Sequence, residues 1–207
     1  IFFDRSKIYS SAIKSSNPEF QEAKRKKHQT IHRSDLLNFF LNSCKTSITV
    51  GGTNGKTTTS SMITFVLSSL GQQTTALIGA KLQGYETTVY NKEEQLLVAE
   101  ADESDGSIVK YTPHIGVLTS ISEDHIDFFK TPEAIEHTFK TYLTNVKKDG
   151  FIVYNFDDQS CKNIAKNIKT KKISYGFHPQ AQVQATDLSS FEGTTKFTVT
   201  IGKDTYK

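Results

Sequence analysis

Apolar and polar positions follow two rhythms along this chain, and the changes between them place the elements. From Thr46 onward, short β-type runs alternate with longer stretches of helical spacing. The runs at 46–50, 74–79, 95–100, 115–119, 150–155 and 172–175 read as strands, and 57–70, 132–146 and 159–168 predict helices. In the first helix Met62, Ile63, Val66, Leu67 and Leu70 fall on one face, and Gly71 is placed to end it. Pro132 is placed to start the second. This alternation predicts the α/β class, a mostly parallel sheet with flanking helices. Two strand-like runs, 182–190 and 196–201, flank Glu192-Gly193 and predict a small antiparallel hairpin at the C-terminal end. Before Thr46 the pattern gives a strand at 7–10, a helix at 18–27, a short strand at 29–31 and a helix at 34–42 capped by Ser34 or Asp35.

Composition narrows the class. At 207 residues, with 36% apolar and 23% charged positions, the chain can hold one sizeable soluble domain, or one domain and a piece of another. A net charge of +3 is too small to argue for nucleic acid. The run Lys24-Arg25-Lys26-Lys27 reads as a solvated helix face. No apolar stretch is long enough to span a membrane. Cys44 and Cys161 lack metal-ligand spacing, and with no signal peptide visible they read as free thiols in a reducing cytoplasm. The chain begins at Ile1 and ends at Lys207 in a strand-like segment, and is expected to be part of a longer polypeptide.

The chemistry starts at Gly51-Gly52-Thr53-Asn54-Gly55-Lys56-Thr57-Thr58-Thr59. Strand, glycine loop, lysine, hydroxyl and helix form the layout of a phosphate-binding loop. The glycines let backbone N–H groups approach phosphate oxygens, and the helix start adds its positive dipole end. Lys56 is expected at the terminal phosphates and the Thr57 hydroxyl on Mg²⁺. The general pattern wants a glycine where Val50 stands, so the loop departs from it while keeping the Gly-Lys-Thr core.

Two further strand ends carry polar clusters. The strand ending near Ala99 runs into Glu100-Ala101-Asp102-Glu103-Ser104-Asp105-Gly106, four carboxylates whose mutual repulsion a hard cation would relieve. The alternative is a solvated acidic loop. The next strand runs into Ser120-Ile121-Ser122-Glu123-Asp124-His125-Ile126-Asp127, where His125 could ligate a metal or carry a proton. The two strands are expected to be neighbours. His28, His32, His114, His137 and His178 read as surface or packing residues. With no hydrolase nucleophile motif, the parts suit phosphoryl transfer.

GGTNGKTTT, EADESDG and TSISEDHID, in that order, resemble the central ATP-binding domain of the Mur ligases, whose phosphate loop is of the short form seen here. Within that family the wording of EADESDG, with Tyr9 to Lys14 and Asn17-Pro18-Glu19, most resembles the members that join L-alanine to UDP-N-acetylmuramate. The resemblance implies that 1–45 is the end of a UDP-sugar-binding domain and 46–207 the central ATP-binding domain, with a C-terminal domain absent. It implies ATP and Mg²⁺ as cofactors, a cytoplasmic setting, and UDP-N-acetylmuramate and L-alanine as substrates, with no nucleic acid and no membrane as partner. Gly52, Thr53, Asn54, Gly55, Lys56, Thr57 and Thr58 would cradle the phosphates, Lys56, Glu100 and His125 would be catalytic, and Thr57, Glu100 and His125 would hold metal. Glu103 is implied only as a weaker ligand or a substrate contact. A carbamylated lysine occurs in some members, and Lys140 stands near that place. Ser11 is implied as a contact to the UDP-sugar. Asn54 stands where the alanine-adding members usually have histidine. A tripeptide-recycling ligase, a folylpolyglutamate synthase-like enzyme, a P-loop ATPase or kinase, and a nucleotide-binding fragment inactive alone remain as alternatives.

Overall fold

The computed structural model describes residues 6–81, 95–124 and 126–206. The first elements are β1 (Lys7–Tyr9), α1 (Pro18–Arg25), β2 (Thr30–His32) and α2 (Arg33–Ser43). Strands β1 and β2 form a separate two-stranded parallel sheet. Helix α1 begins where the sequence predicts, with Pro18 in its first turn and the Asn17 side chain accepting from Phe20 N–H at 3.1 Å.

The remainder is built on one sheet. Its parallel part comprises β3 (Thr46–Gly51), β4 (Thr74–Leu77), β5 (Leu96–Glu100), β6 (Ile115–Leu118), β7 (Phe151–Asn155) and β8 (Lys171–Gly176). Three more strands follow, β9 (Val183–Phe191), β10 (Thr194–Ile201) and β11 (Asp204–Tyr206). The helices are α3 (Lys56–Ser69), α4 (Ile126–Phe129), α5 (Pro132–Thr144) and α6 (Gln159–Lys166), with a 3₁₀ turn at Ser107–Lys110. The sheet order is β11-β10-β9-β8-β7-β6-β3-β5-β4. All pairs from β4 to β9 are parallel, and β9, β10 and β11 are antiparallel. The expected α/β class and C-terminal hairpin are both present, and β11 adds a third antiparallel strand.

Each face of the sheet has its own core, because alternate strand residues point to opposite sides. On one side Leu97, Ala99, Leu118, Ile152 and Tyr154 meet Leu41, Phe139, Tyr142, Leu143, Cys161 and Ile164 from α2, α5 and α6. On the other, Ile48, Val50, Val98 and Val117 meet Ile63 and Leu67 of α3. Here the expected helix face is corrected. Of the five apolar residues assigned to it, Met62, Val66 and Leu70 are exposed. The helix instead buries Ser60 and Thr64 completely. Their hydroxyls donate to Lys56 O and Ser60 O, each at 2.8 Å, so small residues lie against the sheet with their polar atoms satisfied inside the helix.

Strand β3 turns its aliphatic residues to α3 and its hydroxyls to the larger core. Tyr142 is fully buried; its O–H donates to Thr49 O at 2.9 Å and lies 2.7 Å from Thr49 Oγ1. Burial pushes the Tyr142 phenol well above the ordinary tyrosine range, so it stays a donor. At the other end of β3, Ser47 N–H donates to His114 Nδ1 at 3.0 Å, and His114 Nε2 lies 3.3 Å from Lys147 Nζ. His114 is thus a neutral acceptor tying β3 to β6. Burial first, and the Lys147 charge second, lower its pKa below the ordinary 6.5.

The native state therefore binds fewer protons at His114 than the unfolded chain. The stability this gives is present above the ordinary histidine pKa and is lost as pH falls through the lowered folded value. In urea denaturation the midpoint of the wild-type chain is expected to drop between pH 7.5 and pH 5, on the order of the window around a histidine pKa. His114→Asn keeps an acceptor for Ser47 N–H and is expected to show a shallower drop. Equal slopes in the two proteins would contradict this role for His114.

Candidate active site

Strand β3 lies between β5 and β6, with Val50 opposite Glu100 on one side and Val117 on the other. The three segments singled out by their polar residues therefore leave the sheet side by side, at the carboxyl ends of three adjacent strands. The expectation that the acidic strand directly neighbours the histidine strand is corrected, since the strand bearing the phosphate loop stands between them.

The loop is tightly specified. Gly52 has φ +133°, and a Cβ there would stand 2.1 Å from Thr119 Oγ1. Gly55 has φ +84° and forms the N-cap of α3. The segment after β6 is bonded onto the loop. Thr53 N–H donates to Ser120 O at 2.9 Å, Asn54 N–H to Ser120 Oγ at 3.1 Å, and Thr119 Oγ1 to Asn54 O at 2.6 Å. In return Ser122 N–H donates to Thr53 Oγ1 at 3.0 Å. The Asn54 side-chain amide lies 3.4 Å from Ser122 Oγ. The N–H groups of Lys56, Thr57 and Thr58 belong to the first turn of α3, where a helix offers no internal acceptor. Together with the dipole they make an anion-binding helix start. The Thr57 side chain is half-buried in this turn.

Lys56 folds back over the loop. Its Nζ donates to Gly52 O at 2.7 Å, to Thr53 O at 3.1 Å and to Glu103 Oε1 at 3.0 Å. Glu103 is almost completely buried, and burial raises its pKa, with the Lys56 hydrogen bond and charge pulling the other way.

The four acids do not converge on one point. Glu100 Oε1 accepts from Gly79 N–H at 3.2 Å, beside the loop strand. Asp102 pairs with Arg33 at 2.6 Å. Asp105 accepts from Ser11 Oγ and lies 3.8 Å from His32 Nε2. Burial works to raise the pKa of Asp102 and of Asp105, but hydrogen bonds outweigh it and both are held below the ordinary carboxylate range. The donors are Ser104 and Arg33 for Asp102, and Ser107 and Ser11 for Asp105. Among the described residues no group of three or more His, Cys, Asp or Glu is arranged to hold a metal ion. His125 lies outside the described residues. Thr57 and Glu100 are oxygen donors beside a phosphate loop, which suits a hard cation that takes its remaining ligands from phosphate and water. Lys140 is exposed on α5, in a groove with Glu133, Glu136 and Asn163.

Sequence reading missed the Lys56–Glu103 pair and the contacts of Ser11, His32 and Arg33 with the acidic segment. Nothing in the spacing signals them, since Arg33 and Asp102 are 69 residues apart. It also missed the bonds from Thr119, Ser120 and Ser122 to the loop, for which the run of hydroxyls after the strand is the one signal in the sequence.

Residues 50–207 match the family model for the Mur ligase middle domain. The chain belongs to the Mur ligase family. It is 39% identical over 192 residues to the UDP-N-acetylmuramate–L-alanine ligase of Aquifex aeolicus, across 93% of the chain and 42% of that protein. With the same-named ligase of Dictyoglomus turgidum it shares 43% identity over 171 residues, 82% of the chain and 37% of that protein. The chain thus spans about two fifths of the length of the curated relatives it matches. Its fold is similar to the solved UDP-N-acetylmuramate-alanine ligase of Thermotoga maritima, with a TM-score of 0.82 at 23% identity, covering 96% of the chain and 44% of that structure. It is also similar to the UDP-N-acetylmuramate:L-alanyl-gamma-D-glutamyl-meso-diaminopimelate ligase of Neisseria meningitides, with a TM-score of 0.81 at 24% identity, covering 96% and 65%. Gly52 and Gly55 of this Mur ligase loop make different demands. At Gly55 a Cβ would find its nearest neighbour at 3.8 Å, so alanine there meets backbone strain alone. At Gly52 it meets strain and a clash together. Gly52→Ala is expected to lower stability by about 2–4 kcal/mol and Gly55→Ala by about 1–2 kcal/mol. Urea denaturation of the two variants checks this order, and equal losses would contradict it.

Proposed function

We propose that this chain is the nucleotide-binding core of an ATP-dependent ligase that joins L-alanine to UDP-N-acetylmuramate in peptidoglycan precursor synthesis, in the cytoplasm. One observation carries the reading: a lysine-bearing phosphate loop sits between two strand ends, one acidic and one rich in hydroxyls, on a chain 39% identical to a ligase of that name. Residues 46–207 form the ATP-binding domain and 1–45 the end of the domain that holds the sugar nucleotide, with a further domain of the whole enzyme completing the site. A Mur ligase from Thermotoga maritima with a similar fold, at a TM-score of 0.69, was solved in complex with ADP, which supports a nucleotide as the ligand.

In this reading Gly52, Thr53, Asn54, Gly55, Lys56, Thr57 and Thr58 hold the phosphates. The carboxylate of the muramyl substrate attacks the γ-phosphorus, the bond to the β,γ-bridging oxygen breaks, and ADP leaves with that electron pair. The amino group of alanine then attacks the acyl carbon, phosphate departs, and the amine loses a proton as the amide forms. Both reactants of the first step are anions, so the obstacle is electrostatic. Lys56 and the α3 N–H groups offset that repulsion. Thr57, Glu100 and His125 would hold Mg²⁺, which when bound supplies further neutralisation of phosphate charge. Ser11, Arg33 and His32 fix the acidic segment against the preceding residues, and Ser11 would contact the UDP-sugar.

The test uses the intact parent polypeptide. Phosphate release from MgATP is expected to require both UDP-N-acetylmuramate and L-alanine, and to fall by at least about 10³-fold in Lys56→Ala with the fold retained. Release dependent on a tripeptide or another amino acid would redirect the substrate assignment, with Asn54 the first residue to revisit. Release that needs no acceptor, or full activity in Lys56→Ala, would overturn the reading.

A further inference from the structure

We infer that Glu103 is a positioning residue that competes with the nucleotide for the loop lysine, holding Lys56 folded over the cradle until a phosphate displaces it. The inference rests on the phosphate-loop reading above. Three acceptors hold the ammonium: two carbonyls of the loop itself, Gly52 O and Thr53 O, and one carboxylate oxygen of Glu103, all within 3.1 Å. A lysine satisfied by its own loop carbonyls lies across the loop instead of reaching outward. The carboxylate adds a charge-assisted bond to that arrangement.

The carboxylate cannot easily step aside. Glu103 follows β5 in a segment pinned on both sides. Asp102 is held by Arg33, and Asp105 by Ser11 and by Ser107 N–H at 2.9 Å. Gly106 N–H closes back onto Glu103 O at 2.8 Å. The Glu103 side chain is 2% exposed and that of Lys56 is 18% exposed, so the pair is shielded from water and the lysine is its more accessible member. Movement on nucleotide binding therefore falls to Lys56, whose flexible stem can swing from Glu103 toward an incoming phosphate. Breaking the pair opposes nucleotide binding, and the gain from phosphate contact must exceed it.

A purely supporting role predicts that removing the carboxylate weakens nucleotide binding. Competition predicts the reverse. Equilibrium binding of MgATP to the intact parent polypeptide is measured for wild type, Glu103→Gln, Lys56→Met and the double variant. Glu103→Gln, which keeps the shape and an acceptor oxygen, is expected to bind MgATP about tenfold more tightly than wild type. That gain should vanish in the Lys56→Met background. Glu103→Asp, charged but one methylene shorter, should fall between wild type and Glu103→Gln. Unchanged or weaker binding by Glu103→Gln would overturn the inference. So would an equal gain with Lys56→Met, because Glu103 would then act as a nearby negative charge and not through the lysine. If Glu103→Gln does not fold, NMR of the wild-type protein decides. The contact between the Lys56 ammonium and the Glu103 carboxyl carbon should be present without nucleotide and lost on saturation with MgATP, and its persistence would overturn the inference. A wild-type parent polypeptide that binds no MgATP overturns the phosphate-loop reading and this inference together, whereas binding with the wrong variant order overturns this inference alone.

Discussion

The placement of β3 between β5 and β6 is the constraint on which the site depends. Parallel strands in register deliver their following loops to one edge, so the segments after Glu100 and Val117 meet the loop after Val50 although both lie far from it in sequence. The register opposes Val50 to Glu100 and to Val117, and Gly51 to Leu118. The phosphate loop, the acidic segment and the hydroxyl-rich segment therefore begin within about one residue of each other along the sheet edge.

The two faces of β3 hold it there by different means. Ile48 and Val50 contribute apolar burial against α3. Ser47 and Thr49 face the larger core, where bare hydroxyls would be costly, and each is matched to a specific partner, His114 or Tyr142. These polar contacts join β3 to the start of β6 and to α5, so the loop strand is keyed to the elements that carry the rest of the site. Tyr142 also lies against Gly51, where a Cβ would come within 3.0 Å of its ring, so the last residue of β3 has little room for a side chain.

Much of this was legible in the sequence. Strand and helix alternation gave the parallel sheet because crossover connections need helices, and the glycine pattern gave the loop because only glycine tolerates the backbone at Gly52 and Gly55. What escaped was set by tertiary contacts. The buried face of α3 is made by Ser60 and Thr64 as well as Ile63 and Leu67, and a hydropathy pattern scores the hydroxyl residues as outward-facing. Similarly, four acids in a row suggest one cation site, yet three of them turn to Arg33, Lys56 and the Ser11–His32 pair. Local charge density showed that compensation was needed; only the fold shows that protein side chains provide much of it. The Mur ligase motifs were specific enough to identify the family, and the alignment of residues 50–207 with its middle domain agrees.

Amide hydrogen exchange of the intact parent polypeptide with and without MgATP tests the phosphate cradle most directly. Protection should rise on nucleotide binding in residues 52–58 and in the segment after β6 bonded to them, above any change at α1 or the β9–β11 strands. Protection that rises elsewhere while 52–58 stay unchanged would contradict a nucleotide site at this loop.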